Sequence, residues 1–476
     1  RGEYTTANAT QFPHGMWRLE HRIRGLGLIP GVWTAPFEVS ARAWVYQHHP
    51  DWLLHDAHGQ PILVGYVHGH VDPLYVLDTT NPGAQRYLRR TYRILTRQWG
   101  VRYIKLDFMD AAAVEGDYYR PGTTAIQAQR LGLRIIRQGV GPQVLLDKDG
   151  SLMLPPVGFV NEGRIAPDTG HSFAASRDAV TNIASRFYMN RNFFVADPDA
   201  FSVSRQIEPQ QQWHESQSGL TRNEAQVQIV LAAMAGGMFE IGDDLPTLAA
   251  EPRRLALVEN QQIIDLNRLG RSALPLDLMT FPLQDAAPSV FYLREDRRQA
   301  MLAVFNWTGH STSHRIGLAQ LGFPQGDRLR AYDVLDGDVP VAFAGGALRI
   351  RAQAPRSVRL IELDDAALPP RPPNVTAEAP AAAGAGQAIT LQAHLAAGSP
   401  PAMSYRWDFG DGTSAAGPNA RHTYTHAGTF SVTLTARGLA GVQGARTAVR
   451  HLTIRVTGFP RTRFTLRQNR RYRPVQ

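Results

Sequence analysis

The sequence predicts an α/β fold of the (β/α)8 or TIM-barrel type, followed by two β-rich modules. Up to about residue 245, short apolar runs alternate with longer amphipathic stretches, which is the rhythm of a parallel sheet covered by helices. Nearly every apolar run ends in a carboxylate. From residue 272 onward the pattern changes to short alternating strands. We therefore predict a catalytic barrel over 1–271, an antiparallel β-sandwich over 272–365, a linker and second β-module over 366–457, and a basic tail over 458–476.

Six barrel strands and two barrel helices can be read from the first half of the chain. The helical stretches AQRYLRRTYRILTRQWG and TAIQAQRLGLRIIRQGVG both end in Gly, as helices prefer. The predicted strands are GLIPGVW (27–33), VRYIKLDF (101–108), QVLLDKD (143–149), VGFVNEG (157–163), FFVADPD (193–199) and GGMFEIGDD (236–244). A closed barrel needs eight strands, and RGEYTTANATQFPHGM resembles a loop after a second strand. We therefore expect roughly 80 or more further residues upstream, enough for two βα units.

Composition excludes several classes of protein. The net charge of +9 falls to about +3 without the last seventeen residues, which carry six Arg and no acid, so a nucleic-acid partner is not indicated. The apolar runs are too short to span a membrane. No Cys is present, which rules out disulfides and thiolate metal sites and fits a secreted bacterial protein. Lysine occurs twice, as Lys105 and Lys148, in a chain that otherwise uses Arg, so both are candidates for shaped sites.

Acids are concentrated where the predicted strands end. A single strand-end Asp is usually a helix N-cap, but a whole set is typical of a barrel active site, which forms at the carboxyl ends of the strands. The set comprises Asp107, Asp149, Glu162, Asp197, Asp199, Asp243 and Asp244.

Three ordered motifs resemble the α-galactosidase superfamily, glycoside hydrolase families 27 and 36. They are YIKLDF (103–108), RIAPD (164–168) and ADPDAF (196–201), supported by FPHGM, GLIPGVWTAPFEVS, HPDW and LDTTNP over residues 9–245. The resemblance implies a retaining glycosidase, with Asp107 as nucleophile and Asp168 as general acid/base. It also implies a β-sandwich after the barrel. Asp149 stands where the family often has a Cys-containing loop.

The last module resembles the polycystic-kidney-disease (PKD) repeat, an immunoglobulin-like sandwich common in secreted bacterial carbohydrases. The match rests on YRWDFGDGT (405–413) and HTYTHAGTFSVTLT (422–435). We expect Trp407 to fill the sandwich core and DGT to form a turn.

Retaining glycosidases use two carboxylates roughly 5–5.5 Å apart. Lys105 lies on the same strand face as Asp107, where it could pair with that carboxylate or grip a sugar hydroxyl; the alternative is a surface lysine. Arg164 is expected to hold a sugar hydroxyl rather than pair tightly with Asp168, because the general acid must be protonated; a surface ion pair is the alternative. Asp197 and Asp199 could bind hydroxyls or form a turn around Pro198.

Trp33 could be a sugar platform or a core residue. His68 and His70 are weak evidence for metal, since no third ligand is placed, so we expect neither a metal nor a cofactor. The predicted function is hydrolysis of α-galactosides or related α-glycosides in oligo- or polysaccharides. The alternatives are a raffinose-synthase-type transglycosylase and an inactive glycan-binding protein. The sequence indicates no nucleic-acid or membrane partner and does not specify an oligomeric state.

Overall fold

The computed structural model describes residues 1–67, 71–205, 219–281, 287–323, 328–337 and 342–458. His68, His70 and the basic tail from 459 lie outside these residues. The described helices are α1 (Gly15–Gly25), α2 (Trp44–His48), α3 (Pro82–Arg93), α4 (Ala125–Val140), α5 (Phe173–Ser185), α6 (Arg222–Ala235), α7 (Leu245–Ala249), α8 (Pro252–Val258) and α9 (Gln261–Arg268). None of them combines the length and apolarity that a membrane crossing requires.

A five-stranded parallel sheet, in the order β1-β5-β6-β7-β8, forms the centre of the first half of the chain. Its strands are β1 (Gly31–Thr34), β5 (Tyr103–Leu106), β6 (Leu145–Lys148), β7 (Glu162–Arg164) and β8 (Val195–Asp197). A smaller antiparallel sheet, in the order β2-β4-β3, is formed by β2 (Glu38–Ser40), β4 (Asp72–Val76) and β3 (Leu63–Val67). The predicted parallel α/β architecture is confirmed, and the described strands form part of a barrel rather than a closed one.

Local sequence explains where the two helices against this sheet begin and end. Asn81 caps α3 by accepting a hydrogen bond from the Gly83 amide at 2.7 Å. Helix α4 begins with a capping box between Thr124 and Gln127. After α3 a π-helical turn runs over Ile94–Trp99 and ends at Gly100, whose φ of 92° suits glycine. Apolar side chains of α3, α4, β5 and β6 then pack into one buried core.

The predicted sixth strand at 236–244 is wrong. In this segment only Ile241 makes a β-bridge, parallel to Phe201, although the Met238 amide still donates to the Ala196 carbonyl at 2.8 Å. The regular ladder stops because Pro198 after β8 has no N–H, and Asp199 adopts a φ of 82°. The predicted strand at 157–163 is also mostly turn, since Val157 and Phe159 donate to the backbone of 154 and 156 instead.

The chain divides into two compact units. The first comprises 1–293, 302–324 and 340–361; the second comprises 294–301, 325–339 and 362–476. Two further sheets, in the orders β13-β16-β11-β10-β9 and β12-β15-β14, follow the α/β region. Their strands are β9 (Leu274–Pro275), β10 (Val290–Arg294), β11 (Gln299–Asn306), β12 (Thr312–Gly317), β13 (Leu329–Asp333), β14 (Ala342–Ala344), β15 (Ala347–Gln353) and β16 (Ser357–Asp365).

The last module is a sandwich of two sheets, β17-β19-β22 and β18-β24-β23-β20-β21. Trp407 is fully buried in its core, as predicted, and Asp411 closes the DGT turn by accepting from the Thr413 amide at 3.0 Å. The strands are β17 (Val375–Glu378), β18 (Ala382–Gly384), β19 (Ala388–Leu395), β20 (Ser404–Asp408), β21 (Ser414–Ala416), β22 (Asn419–Thr423), β23 (Gly428–Arg437) and β24 (Thr447–Thr457).

Candidate active site

The Asp107 carboxylate is fixed at the carboxyl end of β5. One oxygen, Oδ2, accepts a hydrogen bond from Trp33 Nε1 at 2.8 Å, and the other accepts from the Phe108 amide at 2.7 Å. The Asp107 amide donates to the Thr34 carbonyl at 2.8 Å, so β1 also holds the backbone. Phe108 has a φ of 48°, a strained conformation of the kind that is concentrated at functional sites. Trp33 is 43% exposed, so it is not a core residue.

The loop after β6 packs tightly against Asp107. Gly150 has a φ of 51°, and a side chain there would place its Cβ 2.9 Å from the Phe108 nitrogen and 3.4 Å from Asp107 Oδ1. The Asp110 amide donates to the Gly150 carbonyl at 2.6 Å. Only glycine allows this approach, and it brings Asp149 beside the end of β5.

Arg164, at the end of β7, joins three carboxylates. Its guanidinium contacts Asp149 Oδ2 at 2.7 Å and Asp199 Oδ2 at 3.1 Å, and it also donates to Asp168. Burial lowers the pKa of Arg164, but the surrounding carboxylates, chiefly Asp199 and Asp149, outweigh this and raise it. Arg164 is therefore a permanent cation at the centre of the site.

The expectation that Arg164 does not pair with Asp168 is wrong. The Asp168 side chain is 85% exposed, whereas that of Arg164 is 4% exposed. Arg164 and Asp168 lie four positions apart in the sequence. Nη2 of the buried guanidinium donates a hydrogen bond to Oδ1 of the exposed Asp168 carboxylate. The alternative of a surface ion pair is also wrong for Arg164, because its guanidinium is buried.

Lys105 lies on the same face of β5 as Asp107, and its ammonium forms an ion pair with Asp149 Oδ2 at 3.6 Å. Its side chain is 19% exposed, so Lys105 is not a surface residue. Burial lowers the pKa of Lys105, but the nearby carboxylates of Asp197 and Asp149 raise it by more. The ammonium therefore remains charged within the site.

Asp197 and Asp199 have different environments. Asp197 is fully buried; its Oδ1 accepts from the Asp199 amide at 2.8 Å, while its Oδ2 has no hydrogen-bond partner among the described residues. Burial raises the pKa of Asp197 to about 6, although Arg164 and Lys105 oppose the rise. Asp199 instead braces the neighbouring loop by accepting from the Thr169 amide at 2.6 Å. The turn around Pro198 is therefore closed by Asp197 Oδ1, while Asp197 Oδ2 retains a free acceptor.

A fully buried acid, Asp147, and two half-buried acids, Glu162 and Glu240, lie close enough to Asp197 to interact with it electrostatically. Asp147 is fully buried and accepts a hydrogen bond from the Tyr103 hydroxyl at 3.2 Å, and burial beside Asp197 raises its pKa. Burial also raises the pKa of Glu162 to about 7, with Asp197 and Glu240 adding to the rise. Sequence reasoning did not select Asp147 or Glu240. The two-residue spacing of Asp147 and Asp149 was the available signal, since it places both on one face of β6.

Two strand-end acids lie outside this cluster of contacts. Asp243 accepts hydrogen bonds from Ser204 Oγ at 2.7 Å and is 3.0 Å from His171 Nε2, in a buried network. Asp244 caps α7 by accepting from the Thr247 amide at 2.9 Å. The helix-cap interpretation therefore applies to Asp244, whereas Asp243 holds a buried hydrogen-bond network and caps no helix. Within the described ranges, no group of three or more His, Asp or Glu side chains is arranged to hold a metal ion.

Comparison with known proteins gives two family matches. Residues 2–135 match the melibiase family model, and residues 370–454 match the PKD domain model. Residues 2–135 are therefore melibiase-like, and residues 370–454 are PKD-like. The melibiase match supports a glycosidase, and Trp33 and Asp107 both lie within the matched residues.

Two solved structures share the fold over about three quarters of the chain. A family 27 β-L-arabinopyranosidase from Geobacillus stearothermophilus has a TM-score of 0.56 at 17% identity, covering 75% of this chain and 78% of that one. α-Galactosidase I from Mortierella vinacea has a TM-score of 0.50 at 15% identity, covering 76% and 83%. The α-galactosidase from Thermus thermophilus is 28% identical with a TM-score of 0.42, over 52% of this chain. The chain spans about half the length of that last enzyme.

Proposed function

We propose that the chain is a retaining glycoside hydrolase that acts on α-galactosides or related α-glycosides. Asp107 is the nucleophile and Asp168 is the general acid/base. The observation that carries this proposal is the Arg164 guanidinium, which joins Asp168 to Asp149, whose loop packs against Asp107. Side chains from three neighbouring strands thereby converge at the carboxyl end of the sheet, where barrel enzymes place their chemistry.

In the first step, an Asp107 oxygen bonds to the anomeric carbon while the bond to the leaving oxygen breaks. Asp168 gives its proton to that oxygen, so the leaving group departs as a neutral alcohol. In the second step, Asp168 removes a proton from water, and the water oxygen displaces Asp107 from the sugar. Two inversions at the anomeric carbon give net retention of configuration.

The surroundings of Asp107 suit a nucleophile. The Trp33 and Phe108 N–H groups stabilise the negative carboxylate through hydrogen bonds of 2.8 and 2.7 Å. These two donors also fix the plane of the carboxylate. The exposed Trp33 ring supplies an apolar surface next to the attacking oxygen, against which a sugar ring can lie.

The arrangement of Arg164 allows Asp168 to change its protonation state. Asp168 must leave the guanidinium and take up a proton from solvent before it can protonate a substrate, and Asp149 and Asp199 keep the guanidinium neutralised meanwhile. When Asp168 becomes a carboxylate after the first step, the guanidinium can stabilise it again. The side chains of Lys105 and Asp149 are 19% and 15% exposed, so these two groups can bind sugar hydroxyls.

Proton NMR of a nitrophenyl α-galactoside digest tests the proposal. The α-anomer of the sugar should appear first, before mutarotation. Release of the β-anomer first would contradict the mechanism. Product that appears only as a longer oligosaccharide when an acceptor sugar is present would favour a transglycosylase. Binding of the sugar without turnover would favour an inactive glycan-binding protein.

We propose further that the enzyme acts on oligo- or polysaccharides outside the cytoplasm. The PKD domain at 370–454 and the absence of Cys from the sequence support an extracytoplasmic protein. Cell fractionation of the producing organism tests this: recovery of the chain in the cytoplasm alone would contradict it.

A further inference from the structure

Lys148 is the second of two lysines in the chain, and the proposed chemistry does not use it. It lies on β6 between Asp147 and Asp149, so its side chain points to the opposite face of the sheet. Only 1% of Lys148 is exposed. Burying an ammonium is costly unless it is hydrogen-bonded, so a specific partner is expected.

That partner is the backbone of Arg164. The Lys148 ammonium donates to the Arg164 carbonyl oxygen at 2.5 Å and lies 3.5 Å from the Met153 sulfur and 5.4 Å from the centre of the Phe194 ring. Gly163 is the register partner of Lys148 on β7, and a Cβ there would lie 2.8 Å from Lys148 Cε. The space beside Gly163 therefore fits the narrow aliphatic chain of a lysine, and the planar guanidinium of an arginine would not fit there.

A second cation holds the next carbonyl. Arg186 donates to the carbonyl oxygen of Ile165, directly after Arg164. Two cations therefore hold consecutive carbonyl groups at the end of β7. They are the buried ammonium of Lys148 and the half-buried guanidinium of Arg186. On the front of the sheet, the Arg164 side chain meets Asp149, Asp168 and Asp199. Any movement of the Arg164 backbone would be transmitted to these three contacts.

We propose that Lys148 is a positioning residue that sets the Arg164 guanidinium on its three carboxylates, and thereby sets Asp168 for proton transfer. The part concerning proton transfer rests on the proposed function. Burial lowers the pKa of Lys148 to about 8, while Asp149, Asp147 and Asp197 oppose this and Arg186 adds to it. The contact is therefore a charge-assisted hydrogen bond at neutral pH, stronger than a neutral one.

The test compares Lys148→Met with Arg137→Met. Arg137 is the matched control because it also binds backbone carbonyls beside β6 and β7, those of Val144 and Phe159, but at the opposite end of the sheet. We expect both variants to lose thermal stability. Only Lys148→Met should lose activity, by roughly 10- to 100-fold in kcat on an alkyl α-galactoside and much less on the nitrophenyl glycoside. Equal kcat losses in the two variants, or equal losses on the two substrates, would overturn the proposal.

A crystal structure of the full-length Lys148→Met protein gives a readout that does not depend on activity. The Arg164 guanidinium should separate from Asp149 or Asp199; an unmoved guanidinium would overturn the proposal. If the wild-type protein hydrolyses neither glycoside, the proposed function fails, and this structure still decides the role of Lys148.

Chemical rescue tests the ammonium itself. The chain has no Cys, so Lys148→Cys carries a single thiol that can be aminoethylated in the unfolded protein before refolding. The aminoethyl adduct should recover activity on the alkyl glycoside and a propyl adduct should not. Equal recovery with both adducts would show that only the volume of the side chain matters.

Discussion

Replacing Asp197 with Asn should stabilise the protein at alkaline pH and leave its stability almost unchanged at acid pH. Asp197 is fully buried, and its Oδ2 has no hydrogen-bond partner among the described residues. Its charged form is therefore poorly solvated, and the neighbouring acids repel it. Asn keeps the Oδ1 acceptor that the Asp199 amide uses at 2.8 Å and carries no charge.

The magnitude follows from the pKa of Asp197. A rise from 3.8 to about 6 in the folded state corresponds to about 3 kcal/mol of destabilisation once the group is ionised. The folded state binds this proton more tightly than the unfolded state does. Wild-type stability therefore falls as the pH rises from about 4 to about 6, and stays low above that range. Because Asp147 and Glu240 share the repulsion and keep part of it after the substitution, we expect a gain of about 2 kcal/mol at pH 8.

Urea denaturation at a series of pH values measures this gain. Asp178→Asn is the matched control: it removes one negative charge from a side chain that is 70% exposed, and its stability should change little at any pH. A gain in Asp197→Asn that is the same at pH 4 and pH 8 would refute the reasoning, as would a loss at pH 8.

Three further substitutions test the site. Trp33→Phe removes the Nε1 donor to Asp107, so kcat should fall roughly 10-fold with little change in Tm, because Trp33 is 43% exposed; an unchanged kcat would show that the contact is not used. Arg164→Met leaves the Asp199 carboxylate without the cation it contacts and Asp149 with Lys105 alone, so the free energy of unfolding at pH 7 should fall by about 3–5 kcal/mol in urea denaturation, and a fall below about 1 kcal/mol would contradict this. Asp168→Ala should slow alkyl glycosides far more than nitrophenyl glycosides, since nitrophenolate leaves without a proton; equal losses would argue against acid catalysis.

The parallel sheet and the positions of the main acids could be predicted from the sequence, because strand-end residues and two-residue spacing have direct structural meaning. For this reason Lys105 could be placed on the same strand face as Asp107, whereas its ion pair with Asp149 was not predicted. The strand at 236–244 was predicted wrongly because its apolar pattern does not show that Pro198 and Asp199 interrupt the neighbouring strand. A sequence pattern does not show which backbone atoms of other segments lie next to a given strand.

The pairing of Arg164 shows a second limit. Its spacing from Asp168 was evident, but the choice of partner depends on which carboxylates the loops after β6 and β8 bring to it. Those loops contain Gly150 and Asp199, both with positive φ. The role of Lys148 required the register of β6 and β7, in which Gly163 leaves room for the lysine stem. Composition identified Lys148 as unusual, and the structure supplies the reason.

The nucleophile can be identified directly by trapping the covalent intermediate. A 5-fluoro-galactosyl fluoride reacts with retaining enzymes and leaves a slowly hydrolysed glycosyl ester. Cleavage after the two lysines gives three peptides, 1–105, 106–148 and 149–476, so Asp107 is separated from Asp149, Asp168 and Asp197. Mass spectrometry should find the sugar on peptide 106–148, and fragmentation should place it on Asp107. A label on peptide 149–476, or steady turnover of α-galactosides with no trapped ester, would contradict the assignment of Asp107 as the nucleophile.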